Sequence, residues 1–556
     1  MTLTEGIDYD IVVIGAGFAG MYAVHAFRSR GYRVHAYEAG SDVGGTWYWN
    51  RYPGARCDVE SRSYSYSFDP ELLQDWTWSG RYPSQPEILD YARHVADRYD
   101  LRRDITFDTR VRSAWFDDRT TTWTITADGG DQVRARYCVT AVGCLSATQV
   151  PRLPGLERFR GEVHHTGNWP HEGVGLAGRR VAVIGTGSSG IQAIPEIAKQ
   201  AAHLTVFQRT PNFTLPARNR PMTPLEQEEV KAGYTESRAR ARRSPAGVDQ
   251  PYPTISAKDV SEAERLRVFE SKWAEGGTRF MASFRDIGTD LEANAFASEF
   301  VRAKIAEVVD DPAVAERLSP RDYPIGAKRI CLDTDYLATF NRPNVELVDL
   351  RTDPIAAVTE SGVRAGDRDI PLDVIVMATG YDAMTGALLR MDVRGRDGLP
   401  LGARWHDGPQ TYLGLATAGF PNLFLITGPG SPSVLAMVIM AIEQHVDWIA
   451  DCLDHLRDRG LDRIEATEQA EQDWGRHVND VAATRLYRHA NSWYVGANIP
   501  GKPRVILPYT GGFGTYSKRC DEVTRAGYAG FRLGPGDGPA EPGAQIGRPR
   551  HVGRQG

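Results

Sequence analysis

Apolar positions along this chain fall into two copies of one cycle. YDIVVIG, starting at Tyr9, is a short, almost wholly apolar run of the kind buried on both faces of a sheet. Phe18 to Arg30 then follows a helical period, Gly31 suits a helix C-terminus, and RVHAYE ending at Glu38 reads as a second strand. Residues 179–209 repeat the plan as RRVAVIG, a helix through SSGIQAIPEIAKQ, and HLTVFQR. Pro195 inside that second helix predicts a kink, because it removes one backbone donor and crowds the preceding turn.

Between the two cycles, TTTWTITA and QVRARYCVTAVG alternate as strands of a small antiparallel insertion that returns to the first sheet. Residues 216–322 are charged and helical, with Ser261 and Glu264 spaced as a capping box, and read as a helical insertion in the second unit. LDVIVMATGY at 372–381 is another buried strand, taken as the chain's return to the first unit. Residues 534–556, dominated by Gly, Pro and polar side chains, predict a disordered tail.

A chain of 556 residues exceeds one compact core and predicts two or three domains. The net charge of −6 gives no reason to expect nucleic acid or an anionic membrane as partner. RARARR at 238–243 follows EQEE at 226–229, a mixture that reads as solvated helix faces. The longest apolar run, VLAMVIMAI at 434–442, falls short of the roughly 20 residues a spanning helix needs. No basic residue precedes Arg28, so a signal peptide is not expected. Six scattered cysteines without a CxxC pair point to free thiols in a reducing cytoplasm.

Each cycle carries a glycine-rich turn between strand and helix: GAGFAG at 15–20 and GTGSSG at 185–190. Gly15 permits the tight turn, Gly17 lets backbone approach a pyrophosphate, and Gly20 allows close helix–strand packing, while the helix N-terminus at Phe18 and Ala19 offers free N–H groups to phosphates. Glu38 ends the second strand where a carboxylate accepts from a ribose hydroxyl and repels a 2′-phosphate, so FAD or NAD(H) is preferred there. In the second unit Gly187 with Thr186, Ser188 and Ser189 repeats the turn, but its strand ends in Arg209 and Thr210. That combination suits the 2′-phosphate of NADPH. The expected fold is therefore α/β, with two Rossmann-like dinucleotide-binding domains of the two-domain flavoprotein type. The predicted parts are a first FAD domain segment at 1–145, a hinge at 146–178, an NADP domain at 179–371, a second FAD segment at 372–533 and the tail.

GGTWYWNRYPGARCD at 44–58 follows the first turn within one connection, so Trp47 and Tyr52 can wall a flavin ring and Asp58 can place a charge beside it. His164, His165 and His171 cluster in the hinge without metal-ligand spacing, and no metal is expected. No GxSxG elbow marks a serine hydrolase.

These segments closely resemble the type I Baeyer–Villiger monooxygenases over about residues 8–533. FRGEVHHTGNWP at 159–170 carries the hinge pattern of Phe159, Gly161, His165, Trp169 and Pro170, and residues 44–58 carry the second family motif. YPIGAKRI, GPGSPSVLAMVI and ANSWYVGANIPGKPRV are most similar to the phenylacetone and steroid monooxygenase branch. The resemblance implies that Arg329 is the catalytic arginine beside the flavin and that Asp58 pairs with it and tunes it. It implies that Lys328 joins Arg209 and Thr210 on the 2′-phosphate, and that Trp493, in a mobile loop at about 488–502, covers the nicotinamide ribose. It adds Thr46, Trp47, Tyr64, Val111 and Val438 to the FAD contacts, and Arg56, Gln192 and Arg329 to the NADP contacts. His165 is implied to position the domains. The implied reaction uses FAD, NADPH and O2 to convert a small ketone (aryl, cyclic or steroid) to an ester or lactone through a C4a-peroxyflavin. Sulfide oxidation by the same oxidant also fits the family pattern. A peroxide anion needs a fixed cation, and an arginine is charged at any working pH. The resemblance further implies a monomer. The nearest alternative is a class B flavin monooxygenase acting on nitrogen or sulfur. A flavin disulfide reductase would need the cysteine pair that is missing from this sequence.

Overall fold

The computed structural model describes residues 6–535. Both predicted cycles fold as strand, helix and parallel strand. Tyr9–Ile14, Phe18–Ser29 and Val34–Tyr37 form the first, with Ile14 opposite Tyr37 in register. Arg180–Ile184, Ser188–Ala198 and His203–Gln208 form the second, and the helix runs on through Pro195 to Ala198.

The first sheet has eight strands. Gln132–Thr140 lies beside Tyr9–Ile14 in parallel and pairs antiparallel with Thr122–Ala127, as the alternation predicted. Asp392–Arg394 and Leu423–Leu425 return from late in the chain to join it. The helix Val438–Asp458 packs along Phe18–Ser29 and covers that face, with the Tyr22 hydroxyl donating to Asp447 at 2.6 Å.

The second sheet has five strands, all parallel, and its membership corrects two expectations. Val374–Met377 does not return to the first unit; it lies between Arg180–Ile184 and Glu162–His165. Its four residues are all buried, so their pattern is the same in either sheet. The hinge motif is also more than a connector, because Glu162–His165 is the edge strand of this sheet. The return begins only at the strand Asp392–Arg394.

The helical segment divides between the units. Glu262–Glu275 and Leu291–Val308 bury Phe269, Phe300 and Val301 in the second unit's core. Pro224–Arg243 instead lies on the first unit, where buried Arg238 donates to the carbonyls of Arg62, Ser63 and Ser65. The capping box falls here, at Thr223 and Glu226. Ser261 does cap its helix, but Glu264 turns outward to Arg267 and leaves the box half made.

Gly534, the first residue of the expected disordered tail, instead pairs with Arg463 in a short antiparallel ladder. Residues 536–556 of that tail lie outside the described residues. Among the described residues no helix is long and apolar enough to cross a membrane, and no cluster of three metal-ligating side chains occurs.

Candidate active site

The two glycine turns are near copies. Gly15 and Gly185 have φ of +103° and +109°, and a Cβ at either would lie 2.6 or 2.5 Å from a carbonyl oxygen of Ala141 or Ala378. A Cβ at Gly20 would sit 1.8 Å from the Gly15 carbonyl oxygen, and one at Gly190 2.1 Å from that of Gly185. Only glycine allows helix and strand to approach so closely. Both helices begin without a side-chain cap, at Gly17 and Gly187, so their first N–H groups are left for an anion. Phe18 and Ala19 are buried at the first helix's start. Thr186 and Ser188 flank the second turn, the Thr186 hydroxyl donating to the Thr210 carbonyl at 3.2 Å and Ser188 lying 3.4 Å from the Cys331 thiol. This backbone fits a pyrophosphate at each turn.

The residue after each second strand differs in sign. Glu38 is buried and accepts from the Ala16 and Gly40 N–H groups at 2.7 and 2.8 Å. Burial raises its pKa against the pull of those N–H groups. Val111 starts a strand two residues after Thr109, whose N–H donates to the Glu38 carbonyl at 2.9 Å. Arg209 is exposed, and Lys328 reaches toward it over the Tyr323 ring at 4.4 Å. Burial first, and then the Arg209 charge, push the Lys328 amine down to about 8. Among the described residues neither cation has a carboxylate at ion-pair distance. Two adjacent cations without a counter-ion fit a phosphate dianion.

Arg329 stands where the units meet. Its Nε and Nη2 donate to Asp58 at 2.9 and 2.6 Å, and Nη1 donates to the Val434 carbonyl at 2.8 Å. The Tyr494 side chain stands beside the guanidinium and adds to its electrostatic surroundings. The Asp58 carboxylate, more than any other group, raises the Arg329 pKa well above its ordinary value. Three N–H groups are thus engaged by Asp58 and Val434, which leaves one on Nη1 and one on Nη2 for a reacting anion. Neither the Val434 carbonyl nor Tyr494 was singled out from sequence; a backbone acceptor carries no residue signal, and Tyr494 was overshadowed by its neighbour Trp493.

The aromatic motif splits. Trp47 Nε1 donates to the Tyr64 hydroxyl at 2.8 Å, and Phe18 packs edge-on to Tyr64, so these stand together beside the first turn. Thr46 opens the one-turn helix that carries Trp47. Tyr52 does not wall that side. It is buried against the second unit's helix, its hydroxyl donating to Gln192 Oε1 at 2.8 Å. Gln192 Nε2 in turn donates to the Arg56 carbonyl at 3.1 Å, so Gln192, Arg56 and Tyr52 form a clasp between units. Val438 starts the long helix just past the loop that meets Arg329.

In the hinge, Phe159 packs on the second sheet, and a Cβ at Gly161 would lie 2.3 Å from the Asp373 carbonyl oxygen. Trp169 is buried in the same unit, and the Pro170 carbonyl accepts from Gly173. His165 Nδ1 accepts from the Gly167 N–H at 2.9 Å, and burial lowers its pKa, which keeps the ring neutral.

Comparison with known proteins agrees with this geometry. A flavin-binding monooxygenase-like family model matches residues 8–220. A Baeyer–Villiger monooxygenase of Pseudooceanicola batsensis is 43% identical, covering 95% of this chain and 96% of the relative. A phenazine N-monooxygenase of Lysobacter antibioticus is also 43% identical, covering 94% of this chain and 97% of the relative. A solved structure of an oxidised steroid monooxygenase bound to NADP superposes with a TM-score of 0.90 at 53% identity, covering 94% of this chain and 99% of that one. Fold and site define a flavin-dependent monooxygenase with two dinucleotide domains. Within that class, the chain belongs to the type I Baeyer–Villiger monooxygenases.

Proposed function

We propose that the protein uses FAD, NADPH and O2 to insert one oxygen atom beside the carbonyl of an apolar ketone, giving an ester or lactone. The observation that carries this reading is Arg329, fixed at the junction of the two units by Asp58 and Val434. FAD is assigned to Gly15, Gly17, Gly20, Glu38, Trp47 and Tyr64, and NADPH to Gly187, Arg209, Thr210 and Lys328. When bound, FAD reduced by NADPH supplies the activation of O2.

Arg329 holds negative charge on the attacking oxygen, a term worth about 3–4 kcal/mol in a water-excluded site. Asp58 orients the guanidinium, and because an arginine tied tightly to a carboxylate stabilises another anion poorly, the pair loosens during the cycle. Tyr494 stands beside Arg329 and, with Trp493 packed against its ring, helps to exclude water. One chain carries every assigned residue, and we assign the working form as a monomer. Six free thiols favour a reducing cytoplasm.

A ketone panel assayed for NADPH consumption, with products identified by mass spectrometry, tests the reading. Ketone-dependent consumption with an ester of ketone mass plus one oxygen is expected. A parallel panel of heteroaromatic nitrogen compounds covers the activity named for the Lysobacter relative. N-oxides without any ester would overturn the ketone assignment.

A further inference from the structure

The loop 490–502 brings Tyr494 beside Arg329, and it is seated on residues 381–384, which follow the strand Val374–Met377. Two side chains make the seat. Lys502 Nζ reaches Asp382 Oδ1 at 2.6 Å and donates to the Ala383 carbonyl at 2.8 Å. Asn498 Nδ2 donates to the Tyr381 carbonyl at 2.7 Å. The ion pair is shielded, with side chains only 10% and 24% exposed, so solvent and salt screen it less than a surface pair. The other bonds of the loop are mostly short-range turns, such as Ala497 to Ser492 and Ile499 to Gly496. Gly496 and Gly501 bend it at φ of +70° and +78°.

The seat itself touches both family motifs. The Tyr381 hydroxyl donates to Asn50 of the aromatic segment, and its ring stands edge-on to His165 of the hinge at 6.1 Å. A Cβ at Gly167 would lie 2.5 Å from the Tyr381 hydroxyl oxygen, so hinge and seat are in direct contact. Residues 381–384 therefore meet the loop, the hinge and the aromatic motif together.

We propose that Lys502 and Asp382 are positioning residues: their ion pair latches the 490–502 loop to its seat and thereby keeps Tyr494 on Arg329. Release of the latch moves Tyr494 away from the guanidinium and admits water. Oxygen activated there then leaves as hydrogen peroxide before it meets the ketone. The catalytic consequence rests on the function proposed above; the latch does not.

The test uses the FAD-containing protein with NADP+ bound, comparing Lys502→Met, Asp382→Asn, their double variant and Lys502→Arg. Hydrogen–deuterium exchange in peptides covering 490–502 is expected to accelerate about tenfold in each single variant. The double variant should go no faster than the singles, Lys502→Arg should stay near wild type, and distant peptides should not change. In turnover, hydrogen peroxide released per NADPH should rise about fivefold, with flavin reduction at saturating NADPH within about twofold of wild type. Unchanged loop exchange, additive single effects, or acceleration spread evenly over the whole chain would each overturn the latch. Faster loop exchange in a protein that yields no ester even as wild type would sink the proposed function and leave the latch standing.

Discussion

The two dinucleotide units share one turn and differ in what surrounds it. In the first, a Cβ at Gly17 would lie 3.2 Å from the Gly45 Cα, and Glu38 is buried. In the second, a Cβ at Gly187 would meet nothing within 4 Å, and Arg209 is exposed. The same backbone device thus serves a closed site ending in an acid and an open site ending in a base. A closed site suits a cofactor that stays, and an open one suits a cofactor that exchanges every turnover. The steric demand at the third glycine is common to both, while the electrostatic demand is opposite.

The largest effect separating the units should come from their glycines. Gly20→Ala places a methyl 1.8 Å from a backbone oxygen, and about 3 kcal/mol or more of stability should vanish together with FAD retention. Gly187→Ala, in open space, should shift the thermal midpoint little and act mainly on NADPH affinity. Equal losses of stability in the two variants would break the comparison. Next in size, Arg209→Ala removes a charged contact to the 2′-phosphate worth about 1.5–3 kcal/mol, so KM for NADPH should rise roughly 10- to 100-fold. KM for NADH should stay unchanged. A parallel rise for both cofactors would move the phosphate site elsewhere.

The smallest effect is in pH. Lys328 sits at about 8 in the folded chain, so it loses its charge as pH rises through that value. KM for NADPH should climb up to about tenfold between roughly pH 7 and pH 9, with kcat flat, because the bound phosphate restores the proton. The sign for stability is opposite. A lysine whose folded pKa lies below its unfolded value costs stability at low pH, so the cofactor-free protein should gain stability as pH rises past 8. Lys328→Met should flatten both profiles.

The local cycles were plain in the sequence because turn glycines, strand runs and helical periods are short-range signals. Sheet membership was not. Val374–Met377 and Glu162–His165 belong to the second sheet, yet a run buried on both faces carries no mark of its neighbours. The helix Pro224–Arg243 was grouped with its sequence neighbours, while its anchor, Arg238, binds backbone carbonyls that no pattern reveals. Tyr52 was placed by proximity to the first turn but faces Gln192 across the unit boundary. Arg329 and Asp58 lie 271 positions apart in sequence, and only the family resemblance joined them before the fold did.

The central claim is that Arg329 serves oxygen insertion and not flavin reduction, and Arg329→Ala tests it most directly. Flavin reduction by NADPH and ester yield from a ketone are measured on the same preparation. Reduction should remain within about tenfold of wild type while ester yield falls by a factor of about 1,000. Ester formed at the wild-type yield, or both half-reactions lost together in an unstable protein, would contradict the account.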